Sequence, residues 1–357
     1  MPIHNVGYRA WVGQKTAQWS RWWHIAETGV NLAFKSTWVK RIVFFAWLPV
    51  LYWGLGFFLL ERAIIASAQA TPETELNQLI DDAGLPPQLQ NPTQQMRRQA
   101  LARSIRRTFP MLPNVDALAS ALESDDDVTL RNRVWSWLLL AFFRYPQSTV
   151  ILFLLGFIAP GLISRDFRSR AFLLYFSKPI GRVDYLLGKL FVPALFIIFV
   201  STLPALGLYI FAIGMSPDLS VFYSTWDIPL RIIAASIALV IPTSLLALML
   251  SSLTHESRFA SFAWFAIWAL GHGAWFSIAV SQAIRLNNAP TSPEVLNSGL
   301  VKQWSVVSLY NNLGEVQNWI FGFSSFSEIW PAAFVLTLLS LFSLLVLYRR
   351  ISAPVNI

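Results

Sequence analysis

Residues 164–189 read SRDFRSRAFLLYFSKPIGRVDYLLGK and lie between two apolar runs, each long enough to cross a bilayer. We call this segment the basic island. Its positive charges outnumber its negative ones, with Arg165, Arg168, Arg170, Lys178, Arg182 and Lys189 against Asp166 and Asp184. Loops rich in Lys and Arg beside membrane spans lie on the cytoplasmic side. The basic island is therefore predicted to be a cytoplasmic loop that a soluble partner can reach.

The composition of the 357-residue chain predicts a membrane protein, because 55% of its residues are hydrophobic and only 13% are charged. The net charge of +8 collects at the ends of apolar runs, which is typical of cytoplasmic loops and not of a nucleic-acid surface. The absence of cysteine excludes disulfide bonds, thiol chemistry and cysteine metal sites. The first apolar run begins near Ile42, after a Trp-rich basic segment, so we expect no cleavable signal peptide.

Six apolar runs have the roughly 20 residues that a helix needs to cross a bilayer. These predicted spans are residues 42–60, 145–163, 190–213, 232–252, 259–284 and 329–348. Each must be helical, because unpaired backbone groups in lipid are costly. The predicted fold class is therefore an all-α integral membrane protein. A further apolar stretch, 134–143, is separated from the second span by polar residues and is predicted to be an interfacial or extracytoplasmic helix leading into it.

The Lys and Arg residues around the spans predict the orientation of the chain. Segment 1–41 and tail 349–357 are basic, so both termini are predicted to be cytoplasmic, with 1–41 lying partly at the membrane interface. Insertion 61–144 and segment 285–328 then lie outside, and the island 164–189 lies inside. The expected location is the inner or plasma membrane. Whether residues 305–323 re-enter the membrane stays open.

Two amphipathic segments flank the first span. In the insertion, apolar residues between 96 and 109 recur at helical spacing among arginines, as in a solvated cap helix, a lid or a docking surface. The amino-terminal segment mixes Trp with Arg and Lys, as do helices that lie at the headgroup level. We predict such a helix on the inner leaflet, either anchoring the first span or bracing a partner subunit.

The basic island has the pattern of two helices separated by a break. Ser164 is predicted to cap the first helix, with Asp166 in its first turn and within reach of Arg170 at i+4. Residues 178–181, KPIG, break this helix, and Asp184 opens a second helix that leads into the third span. On composition alone, a cytoplasmic hairpin without a further role stays open.

The basic island resembles the corresponding loop in the permease subunits of ABC-2 type exporters. That loop has an acidic residue and basic residues after the second span, then a Y-x-S-x-P stretch, then a D-Y-L-L-G-K entry into the third span. In this chain these are Asp166, Arg168 and Arg170, then Tyr175, Ser177 and Pro179, then Asp184, Tyr185, Leu186, Leu187, Gly188 and Lys189. The six-span order is similar too, whereas the insertion after the first span is longer than in the most compact members.

The resemblance implies that residues 166–177 form a coupling helix that docks in a groove of a separate ATP-hydrolysing subunit. The partner-binding residues that it implies are Arg165, Asp166, Phe167, Arg168, Arg170, Leu174, Tyr175, Ser177, Pro179, Arg182, Asp184, Tyr185, Gly188 and Lys189. It also implies a dimer in the lipid membrane, with a second copy or a sister permease. ATP and Mg²⁺ are then bound by the partner ATPase, and this chain needs no cofactor.

The sequence lacks the motifs of common catalytic sites. Its two Gly-and-Lys stretches, residues 7–16 and 181–189, do not have the spacing of a phosphate-binding Walker A loop. The four histidines are scattered, so no His-Glu-x-x-His zinc pair is formed, and no Gly-x-Ser-x-Gly nucleophile elbow occurs. We therefore predict no enzymatic activity and no metal site in this chain.

Few ionisable residues lie within the predicted spans, which weighs against an ion-coupled carrier. The mid-span exception is His272, on a helix face that it shares with tryptophans. The members of this aromatic set are Trp264, Trp268, His272 and Trp275. They fit either a helix interface in which His272 is hydrogen-bonded or an aromatic lining for the path of an amphipathic substrate. Arg144 and Arg231 lie close enough to span ends to extend toward water.

The predicted function is the membrane subunit of an ATP-driven exporter. Two alternatives stay open: a module that uses ATPase motion to move or regulate an extracytoplasmic protein without transport, and an ion-coupled carrier. The substrate is not predicted, because an apolar path suits lipids, peptides, drugs and polysaccharide carriers alike.

Overall fold

The computed structural model describes residues 21–69, 102–103, 119, 127–169, 181–216, 221–290, 292–296 and 298–352. These residues are helical almost throughout, and the described ranges contain no strand. Six helices are long and apolar enough to cross a membrane, which confirms the predicted all-α membrane class. In chain order, spans 1 to 6 are Thr37–Leu59, Arg131–Arg168, Arg182–Met215, Asp227–Leu253, Ser257–Leu286 and Phe326–Ser352.

The spans are built from shorter elements and joined by others. The α-helices are Arg21–Phe34, Thr37–Ala46, Leu48–Gln69, Asp127–Phe142, Ser148–Ile158, Pro160–Arg168, Arg182–Ile197, Leu203–Met215, Val221–Ser224, Asp227–Leu253, Ser257–Leu286, Pro293–Leu296, Gly299–Trp304, Leu309–Ile320 and Phe326–Ser352. One π-helical turn, Phe143–Gln147, lies within span 2, and a second, Ile198–Thr202, lies within span 3. A 3₁₀ turn covers Ser305–Val307.

The spans alternate in direction, so the bundle has two ends that carry different loops. The end with the basic island also carries the link between spans 4 and 5 and the end of span 6; we call it the island end. There the guanidinium of Arg350 donates to the carbonyl of Leu253 at 3.2 Å. At the opposite end, the insertion end, the hydroxyl of Ser216 donates to Glu61 at 3.2 Å.

The spans differ in how much of their surface the chain itself covers. In the most apolar windows of spans 2 and 4, 72% and 67% of the residues are buried, against 17% in span 1 and 22% in spans 5 and 6. Spans 2 and 4 therefore form the centre of the bundle. Broad apolar faces of spans 1, 5 and 6 are left to contact lipid or another subunit, because exposing such large apolar faces to water is unfavourable.

Span 2 is one continuous helical stretch and not a separate helix followed by a span. The chain stays in the helical conformation from Asp127 to Arg168, through the π turn that contains Pro146. Residues 134–143, predicted to form a separate interfacial or extracytoplasmic helix, are thus part of span 2. The reason is local: a π turn accommodates the missing N–H of Pro146, and the hydroxyls of Ser148 and Tyr310 donate to the carbonyl of Arg144 in the same turn.

Near its island end, span 2 is held to span 4 by one serine. Pro160 cannot donate a hydrogen bond, so the turn around it leaves backbone groups to be satisfied by a neighbour. The hydroxyl of Ser251 accepts from the N–H groups of Ile163 and Ser164, each at 3.1 Å, and donates to the carbonyl of Pro160 at 2.7 Å. This contact positions the first residues of the basic island.

The amino-terminal helix Arg21–Phe34 crosses the start of span 3 at close range. A Cβ at Gly188 would lie 2.7 Å from the carbonyl oxygen of Trp22, and one at Gly29 would lie 2.6 Å from a methyl of Val192. Glycine at both positions allows the two backbones to approach. The helix predicted on the inner leaflet is therefore present and is packed on span 3; its placement at the membrane interface stays a prediction.

Residues Gly299–Ile320 form a helical hairpin that runs along span 5 and back. Val301 packs with Ala279 and Ala283, and a Cβ at Gly271 would lie only 2.8 Å from the carbonyl oxygen of Val307. Gly271 is halfway along span 5, so the tip of the hairpin reaches about 22 Å from the end of that helix, at 1.5 Å per residue. The hairpin thus reaches the middle of span 5, and re-entry of residues 305–323 into the membrane stays a prediction.

Candidate coupling site and the polar hairpin

A buried ion pair joins the two ends of the basic island. The Nζ atom of Lys189 lies 2.6 Å from Oδ2 of Asp166, and the side chains are only 8% and 15% exposed. The hydroxyl of Tyr185, itself buried, donates to the same carboxylate oxygen at 2.8 Å. We call these three residues the island triad. It ties the last turns of span 2 directly to the first turns of span 3.

Helix geometry explains why the D-Y-L-L-G-K stretch has this spacing. Tyr185 and Lys189 are four residues apart, so both side chains lie on the helix face that meets Asp166. The Lys189 ammonium also lies 5.5 Å from the centre of the Tyr185 ring. Gly188 lies on a neighbouring face, against the amino-terminal helix, and Leu187 is exposed.

Asp184 stabilises the beginning of span 3. Its carboxylate accepts a hydrogen bond from the backbone N–H of Gly181 at 3.0 Å, in the first turn of the helix that begins at Arg182. A carboxylate at this end of a helix also offsets the positive end of the helix dipole. This is the helix opening that the sequence predicted for Asp184.

The predicted start of the first island helix is wrong. Ser164 caps no helix, because the helix that contains it begins at Pro160 and continues span 2; the Ser164 hydroxyl donates back to the Pro160 carbonyl instead. Asp166 is therefore in the last turns of this helix and not in its first turn. Its contacts are with Tyr185 and Lys189. The predicted partner Arg170 lies outside the described residues.

Most of the predicted coupling helix also falls outside the described residues. This concerns Arg170, Leu174, Tyr175, Ser177 and Pro179. Their assignment as partner-binding residues stays a prediction.

The described charges around the island triad lie at the surface of the island end. Arg165 is exposed, and Arg168 lies 3.2 Å from Glu256 in the link between spans 4 and 5. In the same link, the ring of His255 meets that of Phe167 edge-on, with 6.1 Å between their centres. Arg182 donates to Ser352 at 3.2 Å. The rim of the site therefore combines the island with the link between spans 4 and 5 and the end of span 6.

The aromatic set of span 5 is packed between helices. Trp264 is 1% exposed and donates from its indole nitrogen to the carbonyl of Leu152 in span 2 at 2.8 Å. The Trp268 ring contacts that of Trp264, and the His272 ring lies 5.3 Å from that of Trp275. His272 also meets Tyr310 of the hairpin, at 5.1 Å between ring centres. The structure thus places these residues against span 2 and the hairpin; that they line a substrate path stays a prediction.

Two arginines hold the second helix of the hairpin at its two ends. Arg144 of span 2 donates to the carbonyl of Tyr310 at 2.5 Å and to the Asn311 side chain at 3.2 Å, with its guanidinium 3.9 Å from the centre of the Tyr310 ring. Arg231 of span 4 donates to the carbonyl of Phe321 at 2.5 Å. The sequence prediction that both extend toward water is incomplete, because both are only partly exposed and bind the hairpin.

The hairpin brings polar groups into the bundle that are not all hydrogen-bonded. Asn311, Asn312 and Gln317 are buried, and the amide nitrogen of Asn311 and the amide oxygen of Asn312 have no partner among the described residues. The ring nitrogens Nε1 of Trp268 and Nδ1 of His272 are likewise unpaired within that part of the chain. Burial raises the pKa of Glu315 on the same helix, and the nearby Arg144 lowers it. Buried polar atoms without a hydrogen bond are rare in protein interiors. Fewer of the buried polar atoms at this interface are therefore hydrogen-bonded than is usual.

A second buried ion pair lies at the insertion end. Glu61 is 2% exposed and accepts from Arg131 through both carboxylate oxygens, at 2.8 and 3.3 Å. Because residues 62–130 lie between them, this pair closes the base of the insertion. Ser216 joins the same carboxylate from the end of span 3. The base of the insertion is thereby fixed to spans 2 and 3.

The sequence of residues 23–349 matches the family model for the ABC-2 family transporter protein. The chain belongs to this family. The match includes spans 1 to 5 in full and span 6 up to Arg349, and it leaves out only Arg21 and Trp22 of the amino-terminal helix. No curated protein and no solved structure gives a match.

Membership in the ABC-2 transporter family, together with six apolar helices, makes the chain a multi-pass membrane protein and a permease component of an ABC transporter system. Members of this family are the membrane components of such systems and have no nucleotide site of their own. The family thus implies an ATPase partner.

Several residues around the candidate site have no sequence motif that reveals them. Contacts with the basic island are made by Glu256, His255 and Ser352, which are distant from it in sequence and come close only in the folded chain. The sequence gives a clearer indication for Arg144, because a charged residue within a long apolar stretch needs a partner in lipid. The polar run of the hairpin, LYNNLGEVQNWI, was a further signal, because one face of that helix is too polar for lipid.

Proposed function

We propose that this chain is the permease subunit of an ATP-driven ABC-2 exporter that receives mechanical work from separate ATPase subunits through the basic island. The observation that carries the proposal is the island triad. A loop that receives force must be attached firmly to the elements that it moves. A buried ion pair with a third hydrogen bond supplies such an attachment between spans 2 and 3.

The two parts of the island have different roles in this proposal. The exposed residues at the rim and in 170–180 bind the ATPase subunit, and the buried triad transmits its motion to the spans. ATP binding then changes the arrangement of the island only if the ATPase prefers one arrangement over the other. The basic island faces the cytoplasm, where the ATPase subunits are.

The wide exposed faces of spans 1, 5 and 6 support a dimer. They include large side chains such as Leu51 and Tyr52 in span 1, which are 74% and 69% exposed in the single chain. In the proposed exporter, part of this surface contacts the second permease, either another copy or a sister subunit, and the rest contacts lipid.

Two variants separate binding from transmission. In the complex of the full chain with its ATPase subunit, we expect Arg170→Ala combined with Lys178→Ala to weaken co-purification of the ATPase. Asp166→Asn should leave co-purification intact but reduce stimulated ATP turnover and transport several-fold, because it removes the charge that holds Lys189. Arg285→Ala, an exposed charge at the insertion end, is the matched control and should change neither.

The topology is tested in the same system with cysteine labelling, because the chain contains no cysteine. Lys178→Cys in sealed cells should react only with thiol reagents that cross the membrane. Labelling by an impermeant reagent from outside would contradict the orientation. Unchanged turnover in a folded Asp166→Asn protein would contradict transmission through the triad.

A module that moves an extracytoplasmic protein without transport is the second candidate, and the Glu61–Arg131 pair favours it. This pair fixes the insertion to spans 2 and 3, which are also the spans that the island triad joins. Deleting residues 71–127 tests this candidate: substrate transport that survives the deletion in vesicles would contradict a function that depends on the insertion.

A further inference from the structure

A cavity of about 260 Å³ opens at the insertion end, between spans 2 and 4 and the end of the hairpin. Its lining residues are Asn132, Arg133, Ser136, Ser224, Arg231, Phe321, Gly322 and Phe323. Both charged residues among them are arginines, and no acidic residue of the described chain lines the cavity. The cavity is therefore both polar and electropositive.

The positive charge of the cavity is only partly balanced. Asp227, beside the cavity, forms an ion pair with Nε of Arg231 at 2.8 Å and accepts a hydrogen bond from the amide of Asn132 at 2.9 Å. Arg231 also donates through Nη1 to the Phe321 carbonyl, which leaves its Nη2 for a further acceptor. Arg133 is exposed and forms no ion pair with any described residue. Among the described residues, the Arg133 guanidinium thus has no compensating carboxylate.

We propose that this cavity binds a phosphate group, carried by a lipid headgroup or by a soluble anion. A guanidinium donates several hydrogen bonds in one plane and matches the oxygens of phosphate or carboxylate. The two arginines belong to different spans, Arg133 to span 2 and Arg231 to span 4, and line one cavity. A tetrahedral phosphate presents oxygens in several directions, so it satisfies both better than a planar carboxylate does. The ligand is therefore of the phosphate class.

The position of the cavity relates the bound phosphate to the hairpin. Gly322 lines the cavity with φ of +84°, a conformation that favours glycine, and the Arg231 guanidinium occupies the space that a side chain there would need. A ligand held by Arg231 thus lies beside the turn that ends the hairpin. This site goes beyond the proposed function, since neither coupling to an ATPase nor a dimer requires it.

The test uses the purified full-length chain in a neutral detergent, without an ATPase subunit. Inorganic phosphate is titrated against chloride at equal ionic strength, and binding is followed by thermal unfolding. Retention of phosphatidylglycerol is compared with that of diacylglycerol, which has no phosphate, by native mass spectrometry. Arg133→Gln is the principal variant, because it leaves both hairpin anchors in place. Arg285→Gln, an exposed charge at the same end, is the matched control.

We expect Arg133→Gln to weaken binding of one or both phosphate probes at least tenfold, the size of a lost charge-assisted hydrogen bond. Arg133→Lys should retain part of the affinity, and Arg285→Gln should retain all of it. An effect on phosphatidylglycerol alone assigns the site to lipid, and an effect on inorganic phosphate alone assigns it to a soluble ligand. The proposal is overturned if the unmodified chain binds neither probe, if Arg133→Gln binds both normally, or if Arg285→Gln loses as much affinity as Arg133→Gln.

Discussion

The basic island and the hairpin are held to the bundle by different interactions. At the island end, Lys189 and Asp166 neutralise each other in a buried pair. In the middle of the bundle, Arg144 holds the tip of the hairpin through a neutral carbonyl, an amide oxygen and an aromatic ring. Oppositely charged partners in a buried site cost much to separate, whereas neutral acceptors are more easily replaced by water. The comparison indicates a rigid joint at the basic island and an exchangeable contact at the hairpin.

The strongest test of the rigid joint is Lys189→Met. It leaves the Asp166 carboxylate buried with only the Tyr185 hydroxyl as a partner, so we expect a loss of about 3 kcal/mol in the free energy of unfolding. Denaturant unfolding of the detergent-solubilised chain measures this loss. The double variant Asp166→Leu with Lys189→Met should recover most of it. A double variant less stable than Lys189→Met would show that the pair itself is not the source of the loss.

The exchangeable contact is tested by Arg144→Gln. Two hydrogen bonds from a charged group and a ring contact are lost, yet water can satisfy the released acceptors, so we expect about 2 kcal/mol. The loss should be local: amide hydrogen exchange in Leu309–Ile320 should accelerate more than exchange in span 4. Equal acceleration in both segments would mean that Arg144 stabilises the whole bundle, and the contrast between the basic island and the hairpin would then fail.

Two glycines in span 3 allow the effect of packing at the island end to be measured separately from the effect of charge. Gly188→Ala places a Cβ 2.7 Å from the Trp22 carbonyl, so the amino-terminal helix must shift, and we expect a loss of about 1 to 2 kcal/mol. Gly207→Ala is the matched control, because a Cβ there meets nothing within 4 Å. It should be neutral or slightly stabilising, since alanine favours the helix. Thermal unfolding of the two variants side by side gives the comparison.

The smallest expected effect concerns the third member of the island triad. Tyr185→Phe removes one hydrogen bond to Asp166 and keeps the ring beside Lys189, so we expect about 1 kcal/mol. Combined with Lys189→Met, the two losses should not add, because both residues share one carboxylate. Strict additivity in a double-mutant cycle would show that Tyr185 acts independently of the ion pair.

The sequence predicted the members of the island triad but not their contact. The sequence identifies Asp166, Tyr185 and Lys189 individually, because their charges and their motif can be recognised from it. The contact between them depends on how spans 2 and 3 are rotated about their own axes. The apolar pattern of a buried helix does not determine that rotation. The same limit explains the error at Ser164: a Ser followed by an acidic residue is typical of a helix start, but here the helix of span 2 simply continues.

The depth of the hairpin was beyond sequence reasoning for a different reason. A helix with a polar face is usually placed at the surface, and the contacts of Val307 with Gly271 and of Tyr310 with Arg144 show that this one lies inside. Six apolar runs, by contrast, were sufficient to predict the fold class, because the bilayer imposes the length and the helical conformation of each.

The π turns of spans 2 and 3, Phe143–Gln147 and Ile198–Thr202, contact each other. Each widens its helix by one residue, which offsets the faces above and below by about 100°, one residue's share of a 3.6-residue turn. Because the two offsets lie at the same level, they divide spans 2 and 3 into an island-end half and an insertion-end half. We expect a rotation of the island-end halves of these spans to be taken up partly as twist at this level.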